Sequence, residues 1–208
     1  MPASTAASLL TRDHHRRQND DLPFLGDLSL GRARVHEACG PARHTFALMV
    51  MAATRGPVIW IAAARQAAGL HPDGISRFVD PGRLIFAKPK RDGDLLWSME
   101  EALRAGCVSL VVADLPLPPA LTPVRRLHLA AETGATEGTV RPTGLVLTPG
   151  AGGAQGVESR WDMAHSHAAA GARTWALHRR RARMAPEASW QVGITGKTFA
   201  LISTPRAE

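Results

Sequence analysis

The chain has 208 residues, 45% hydrophobic and 21% charged, the balance of a globular domain with a sizeable core and not of a disordered or fibrous chain. No stretch approaches the roughly 18 consecutive apolar residues of a membrane-spanning helix, and Met1–Leu10 precedes Arg12, His14, His15, Arg16 and Arg17, the reverse of the order in a secretory leader, so a cytoplasmic protein with no membrane partner is expected. The formal net charge is +7, carried mostly by arginine because the only lysines are Lys88, Lys90 and Lys197; such a field favours polyanions or acidic protein partners.

Residues 1–30 are polar and basic, broken by Asp20, Asp21, Pro23 and Gly26, and read as a loosely ordered N-terminal segment with a short anchoring stretch around Leu22–Leu30. Residues 31–208 read as the folded domain. Arg34–Cys39 is a short strand and Gly40-Pro41 a breaker. His44–Arg55 carries Phe46, Leu48, Met49, Val50 and Met51, a helix too apolar to be exposed. Pro57–Ala63 is a continuous run of branched and aromatic residues, the pattern of a strand buried on both faces. A helix is expected over 64–74, ending at His71-Pro72-Asp73-Gly74, then a strand at Arg83–Ala87. Asp94–Ala105 repeats Leu95, Met99 and Leu103 on one helical face, and Gly106 stops it. Val108–Ala113 is a second apolar strand, closed by Asp114. Thr122-Pro123 pairs an N-cap with proline at the first helical position and opens a helix to Gly134. Gly144–Leu147 is a further strand. Strands alternating with helices predict an α/β fold with a mainly parallel central sheet flanked by helices.

Past Pro149 the pattern shifts. Pro149–Gly156 is a glycine-rich loop, and residues 157–208 read as an antiparallel β extension with strands at Arg160–Met163, Arg173–His178, Trp190–Thr195 and Thr198–Ile202. The last two are joined by Gly196-Lys197, a hairpin turn. Cys39 and Cys107 border apolar runs and read as buried thiols. Trp60 and Trp97 are expected in the core; Trp161, Trp175 and Trp190 either pack or form an interface.

The first strand leads into Gly40-Pro41-Ala42-Arg43-His44-Thr45-Phe46-Ala47, the place of a phosphate-binding loop in nucleotide-binding folds. A working loop, Gly-x-x-x-x-Gly-Lys-Ser/Thr, wraps phosphates with backbone N–H groups, neutralises them with lysine and holds magnesium with the hydroxyl. Counted from Gly40, the second glycine falls on Thr45, the lysine on Phe46 and the hydroxyl on Ala47. With Thr45 as the hydroxyl residue, the loop is two residues short and His44 stands for the lysine. Neither alignment has the lysine.

Residues 32–180, in this order, resemble the RecA core. The resemblance makes Gly40, Pro41, Arg43, His44 and Thr45 a degenerate phosphate loop and Asp114 the remnant of the strand-end aspartate that supports magnesium. The family's acidic residue after the strand matching Val58–Ala63 is replaced by alanine, and its polar sensor by Thr148-Pro149. Leu121-Thr122-Pro123 matches a scaffold motif, and Pro149–Gly156 is a shortened form of the loop that binds DNA in RecA. Within that superfamily the chain resembles ImuA-type proteins in its Gly40–Arg43 loop, in LVVADLPLPPALTPVRRLHLAAETGA (Leu110–Ala135), and in GLVLTPG, ESRWDM and ARTWALHRRRAR leading to Trp190. The resemblance implies a non-polymerase subunit of damage-inducible translesion synthesis. Its expected partner is an ImuB-type, Y-family polymerase-like protein, with RecA and DNA as further candidates.

Several residues carry alternatives. Asp114 is a metal ligand or a structural remnant. His165 and His167 form a His-x-His pair without a third ligand in view, so no metal site is expected. Arg179, Arg180, Arg181 and Arg183, following Trp175 and Leu177 on an expected sheet edge, are either a solvated strand end or a contact for DNA phosphate or an acidic partner; Arg125-Arg126 reads as solvated. No Ser/His/Asp, paired-carboxylate or Cys/His set has sequence support, so neither a cofactor nor an enzymatic activity is expected. The rival readings are a SulA-like inhibitor of the tubulin-like division protein, a DNA-binding inactive RecA paralogue, and a residual ATPase.

Overall fold

The computed structural model describes residues 21–64, 70–166 and 173–202. The anchoring stretch is a hairpin of β1 (Leu22–Leu25) and β2 (Leu28–Leu30). There follow β3 (Val35–Cys39), α1 (Arg43–Ala52), β4 (Val58–Ala62), the short α2 (Pro72–Ile75), β5 (Leu84–Ala87), α3 (Gly93–Ala105), β6 (Leu110–Asp114), α4 (Leu121–Glu137) and β7 (Thr143–Leu147). The remainder is β8 (Ser159–Ser166), β9 (Thr174–Ala182), β10 (Ala188–Thr195) and β11 (Thr198–Ile202). The helix expected over 64–74 falls largely on 65–69, outside the described residues. Its expected end is instead the interior of α2, where Gly74 is helical.

A nine-stranded sheet runs β11-β10-β9-β8-β3-β7-β6-β4-β5. From β8 to β5 every neighbouring pair is parallel, while β9, β10 and β11 alternate antiparallel. The antiparallel part therefore begins one strand later than the sequence suggests. The strand expected at Arg160–Met163 pairs parallel with β3, with Glu37 opposite Arg160. Nor is β9, with its arginines, a sheet edge: β8 and β10 flank it.

Each face of the sheet has its own core. On one face the hairpin and α1 bury Leu22, Leu30, Phe46, Met49 and Met51 with Trp60, Leu145, Trp161 and Trp175. Enclosure between hairpin and sheet explains why α1 is apolar nearly all round. Phe24, Phe46 and Trp161 lie within 5.7 Å of one another, centroid to centroid, in the edge-on and offset arrangements that aromatic rings favour. On the other face α3 and α4 pack Leu95, Met99, Leu103, Val124 and Leu127 on Val35, Ile61, Val111 and Val146. These two helices approach closely through glycine. Gly106 caps α3 in the left-handed region at φ 54°, and a Cβ on Gly134 would lie 2.0 Å from the Leu103 carbonyl oxygen.

Three expectations are corrected. Trp97 is 60% exposed and not core; it lies two residues from Leu95, about 200° around the helix from the buried stripe. Cys107 is exposed, on the connection between the left-handed Gly106 and β6, whereas Cys39 is buried as expected. Helix α4 starts at Leu121 with Ala120 as N-cap, so Thr122 is not the cap. Pro123 still sits in the first turn, where a missing N–H costs nothing. Among the described residues no helix is long and apolar enough to cross a membrane.

Candidate functional site

In an open α/β sheet the crevice beyond the carboxyl ends of the parallel strands is where loops converge, and β3, β6 and β7 bring the expected residues together there. The chain leaves β3 through Gly40 at φ 85°. A Cβ there would lie 2.5 Å from both the Met163 carbonyl and the Asp162 carboxylate, so only glycine fits. Several of the loop's N–H groups are used internally: Gly40 donates to Gly150 O at 2.9 Å, Ala42 to Met163 O at 2.9 Å and Arg43 to Gly40 O at 3.3 Å. Pro41 is exposed and Thr45 half-buried.

Helix α1 opens without a side-chain cap and without an acidic residue in its first turn. Asp114, at the end of β6, supplies negative charge from across the sheet. Its carboxylate is buried and meets His44 Nε2 at 2.7 Å and Arg43 Nε at 3.5 Å. Arg43 and His44 thus both turn onto Asp114. The His44 ring also lies 6.0 Å from that of Trp60.

Beside this pair is a site that sequence reasoning missed. Glu37, in the middle of β3, is fully buried. One carboxylate oxygen accepts from Thr148 Oγ1 at 2.6 Å, Gly153 N at 2.8 Å and Ala154 N at 3.0 Å. The other accepts from Arg160 Nε, and the same guanidinium donates to Ala154 O at 2.8 Å. A buried carboxylate is tolerated only when paired and hydrogen-bonded, and here the pairing folds the glycine-rich loop back over β3. Thr148 belongs to this clamp.

Two histidines, His36 buried and His128 half-buried, brace the same strand. His36 Nε2 lies 3.0 Å from Gly31 O and so donates to it; Nδ1 then accepts from the Ser159 hydroxyl at 2.7 Å, whose oxygen takes the Trp161 indole N–H at 2.8 Å. Burial holds the His36 pKa down at about 4. His128 Nε2 donates to Gly156 O at 3.1 Å, and burial lowers its pKa as well. Next to the clamp, burial above all pushes the Cys39 thiol up to about 12, which leaves it protonated and unreactive.

The arginine cluster is largely engaged within the chain. The Arg179 guanidinium lies 5.7 Å from the Trp161 ring and 5.2 Å from the Trp190 ring, and its Nε donates to Pro186 O. Arg180 pairs with Asp162 at 3.1 Å and Arg183 with Glu158 at 3.8 Å, while Arg181 is exposed. Trp161 and Trp175 are buried and Trp190 packs against the core, so the C-terminal tryptophans pack. Arg126 is not merely solvated, since it reaches Glu100 at 2.9 Å. His165 is exposed on β8 and His167 lies outside the described residues. Among the described residues no group of three or more His, Cys, Asp or Glu side chains gathers as a metal site would.

Together these observations define an α/β protein with a large, mostly parallel central sheet, flanking helices and antiparallel C-terminal strands. Its carboxyl-end crevice is crossed by an aspartate–histidine–arginine cluster and bordered by a glutamate-clamped loop. No protein-family model and no curated protein matches the chain.

Proposed function

We propose that this protein is a non-catalytic, RecA-like adaptor of the ImuA type, a cytoplasmic subunit that helps bring an error-prone polymerase to damaged DNA by binding an ImuB-type, polymerase-like partner. The reading rests on the resemblance in Gly40–Arg43, Leu110–Ala135 and Gly144–Arg183, and one structural observation carries it. Asp114 is held by His44 and Arg43, in a loop whose Gly40 and Ala42 N–H groups serve other carbonyls. A crevice bridged by its own charges offers little to a triphosphate, so the function falls to surfaces.

The test uses the full chain and the purified partner. A 1:1 complex at micromolar concentration is expected, with no heat of binding when magnesium and ATP are titrated into the chain. Absence of the complex would sink the adaptor reading, and ATP binding would restore the residual ATPase. The arginine cluster is tested within that complex. Arg181→Ala, at an exposed position, is expected to weaken the complex or its DNA binding without lowering stability. Arg179→Ala lowers stability as well, because that side chain packs on two indoles.

A further inference from the structure

Helices α3 and α4 lie side by side and run in the same direction. A Cβ on Gly134 would meet Leu103 O at 2.0 Å, one on Gly138 would meet Gly106 Cα at 2.5 Å, and Arg126 reaches Glu100 at 2.9 Å. The rise per residue is the same in both helices. Counted back from those contacts, Trp97 is level with Leu129 to within a residue, and Asp94 with Arg125. On the outer face of the pair Trp97 is 60% exposed and Leu129 62% exposed; each lies two residues from a buried leucine, on the opposite side of its helix. From Asp94 to Ala105 and from Arg125 to Thr136 there are four acidic and three basic residues, so this face is close to neutral in a chain of net charge +7. Glu100, Glu101, Arg104 and Arg126 pair with one another, and Glu132 with Arg34. Among the described residues of these two spans, Asp94 and Arg125 are the exposed charges that no ion pair engages.

We infer that the outer face of α3 and α4 seats a second copy of this chain, in a two-fold dimer whose axis lies in the interface and runs along the helix pair. Rotation about such an axis keeps every residue at its level and exchanges left for right, so α3 of one copy lies on α4 of the other. Trp97 then meets Leu129 and Asp94 meets Arg125, and each contact occurs twice. The tryptophan is the anchor, and the two ion pairs fix the register. An acidic or a basic foreign partner would satisfy one of the two free charges; a second copy satisfies both. The excess positive charge lies elsewhere on the molecule and disfavours contact between other faces of two copies. Helices about 20 Å long, packed about 10 Å apart, make a contact at the low end of specific interfaces, below about 1,200 Å² in total. The dimer is therefore weak and reversible. This inference does not depend on the adaptor reading.

The experiment is sedimentation velocity on the full chain from about 2 to about 200 µM, the range that brackets a weak interface. A monomer–dimer equilibrium with its midpoint inside that range is expected. Trp97→Ala should raise the dissociation constant by about 10-fold or more, the loss typical of an interface anchor. Asp94→Lys and Arg125→Glu should each be monomeric, because each sets like charges together twice. Mixing these two charge variants should restore a dimer, and so should combining both changes in one chain. All the changes are at exposed positions, and association on mixing shows that both variants are folded. A chain that stays monomeric throughout the range would overturn the inference. So would a dimer indifferent to Trp97→Ala, which places the contact on another surface, or a mixture of the two charge variants that does not associate.

Discussion

Glu37 is the residue on which most of the crevice depends. It collects hydrogen bonds from a side-chain hydroxyl, two backbone N–H groups and a guanidinium at full burial. Removing one member of a buried ion pair leaves the other uncompensated, at a cost of about 3–5 kcal/mol. Glu37→Gln is expected to destabilise the chain by about 3 kcal/mol in urea denaturation and to open the loop at Gly153 to hydrogen exchange; a change within 0.5 kcal/mol, roughly the level of a surface substitution, would show that the loop holds itself. His36 sets a pH dependence. Its pKa is about 4 when folded and 6.5 when unfolded, so between those values the unfolded chain binds a proton that the folded chain does not. Its contribution is fully present above pH 6.5 and is lost as pH falls towards 4, amounting to roughly 3 kcal/mol by linkage. His128, shifted in the same direction, adds to the loss. Urea denaturation at pH 7.5 and 4.5 should show the fall, and His36→Asn should shrink it; an equal fall in the variant would place the pH dependence elsewhere.

Among the elements, α3 and α4 depend most on a single contact. A Cβ on Gly134 would meet Leu103 O at 2.0 Å and the Gly106 nitrogen at 3.1 Å, all backbone. Neither neighbour is a flexible side-chain end, so the helices must separate. In an exposed helix Gly→Ala gains roughly 1 kcal/mol; here Gly134→Ala is expected to lose at least 2 kcal/mol, in the range of overpacked cores. Thermal unfolding would check the sign, and a stabilised variant would mean that the helices can move apart freely. The same two helices show what local pattern conveys. Leu95, Met99 and Leu103 mark the buried stripe of α3, and the same periodicity places Trp97 opposite it, a stronger signal than the apolar character of its ring. For α4, Thr122-Pro123 marked the helix but put its start two residues late, since proline is also tolerated later in a first turn.

At the scale of the molecule, the alternation of apolar strands and helices conveyed the parallel sheet, and Gly196-Lys197 the final hairpin. The direction of β8 was not legible, because alternation along one strand is silent about its neighbours. Glu37 escaped because one acidic residue in a short apolar run is explained only by Thr148, Ala154 and Arg160, all more than 100 residues later. Gly40–Thr45 and Asp114 were legible as positions, but their mutual pairing was not. These long-range ties also determine how the molecule unfolds. The hairpin-side core runs without a break from Leu22 and Phe46 through Trp161 to Trp175 and Val192. Strand β8 is at once the last parallel strand and the first to pair with the antiparallel group, and the Glu37–Arg160 pair spans its junction with β3. The C-terminal strands share one core with the rest and are not a separable lobe. One unfolding transition is therefore expected, coincident by tryptophan fluorescence and far-ultraviolet circular dichroism, as two-state behaviour requires. Trp161→Ala removes a fully buried ring at the centre of that core and should cost about 3–5 kcal/mol, moving both signals together. If the variant instead splits the transition, with the fluorescence of Trp175 and Trp190 lost before the helical signal, the antiparallel strands form an independent unit and the shared core does not couple them.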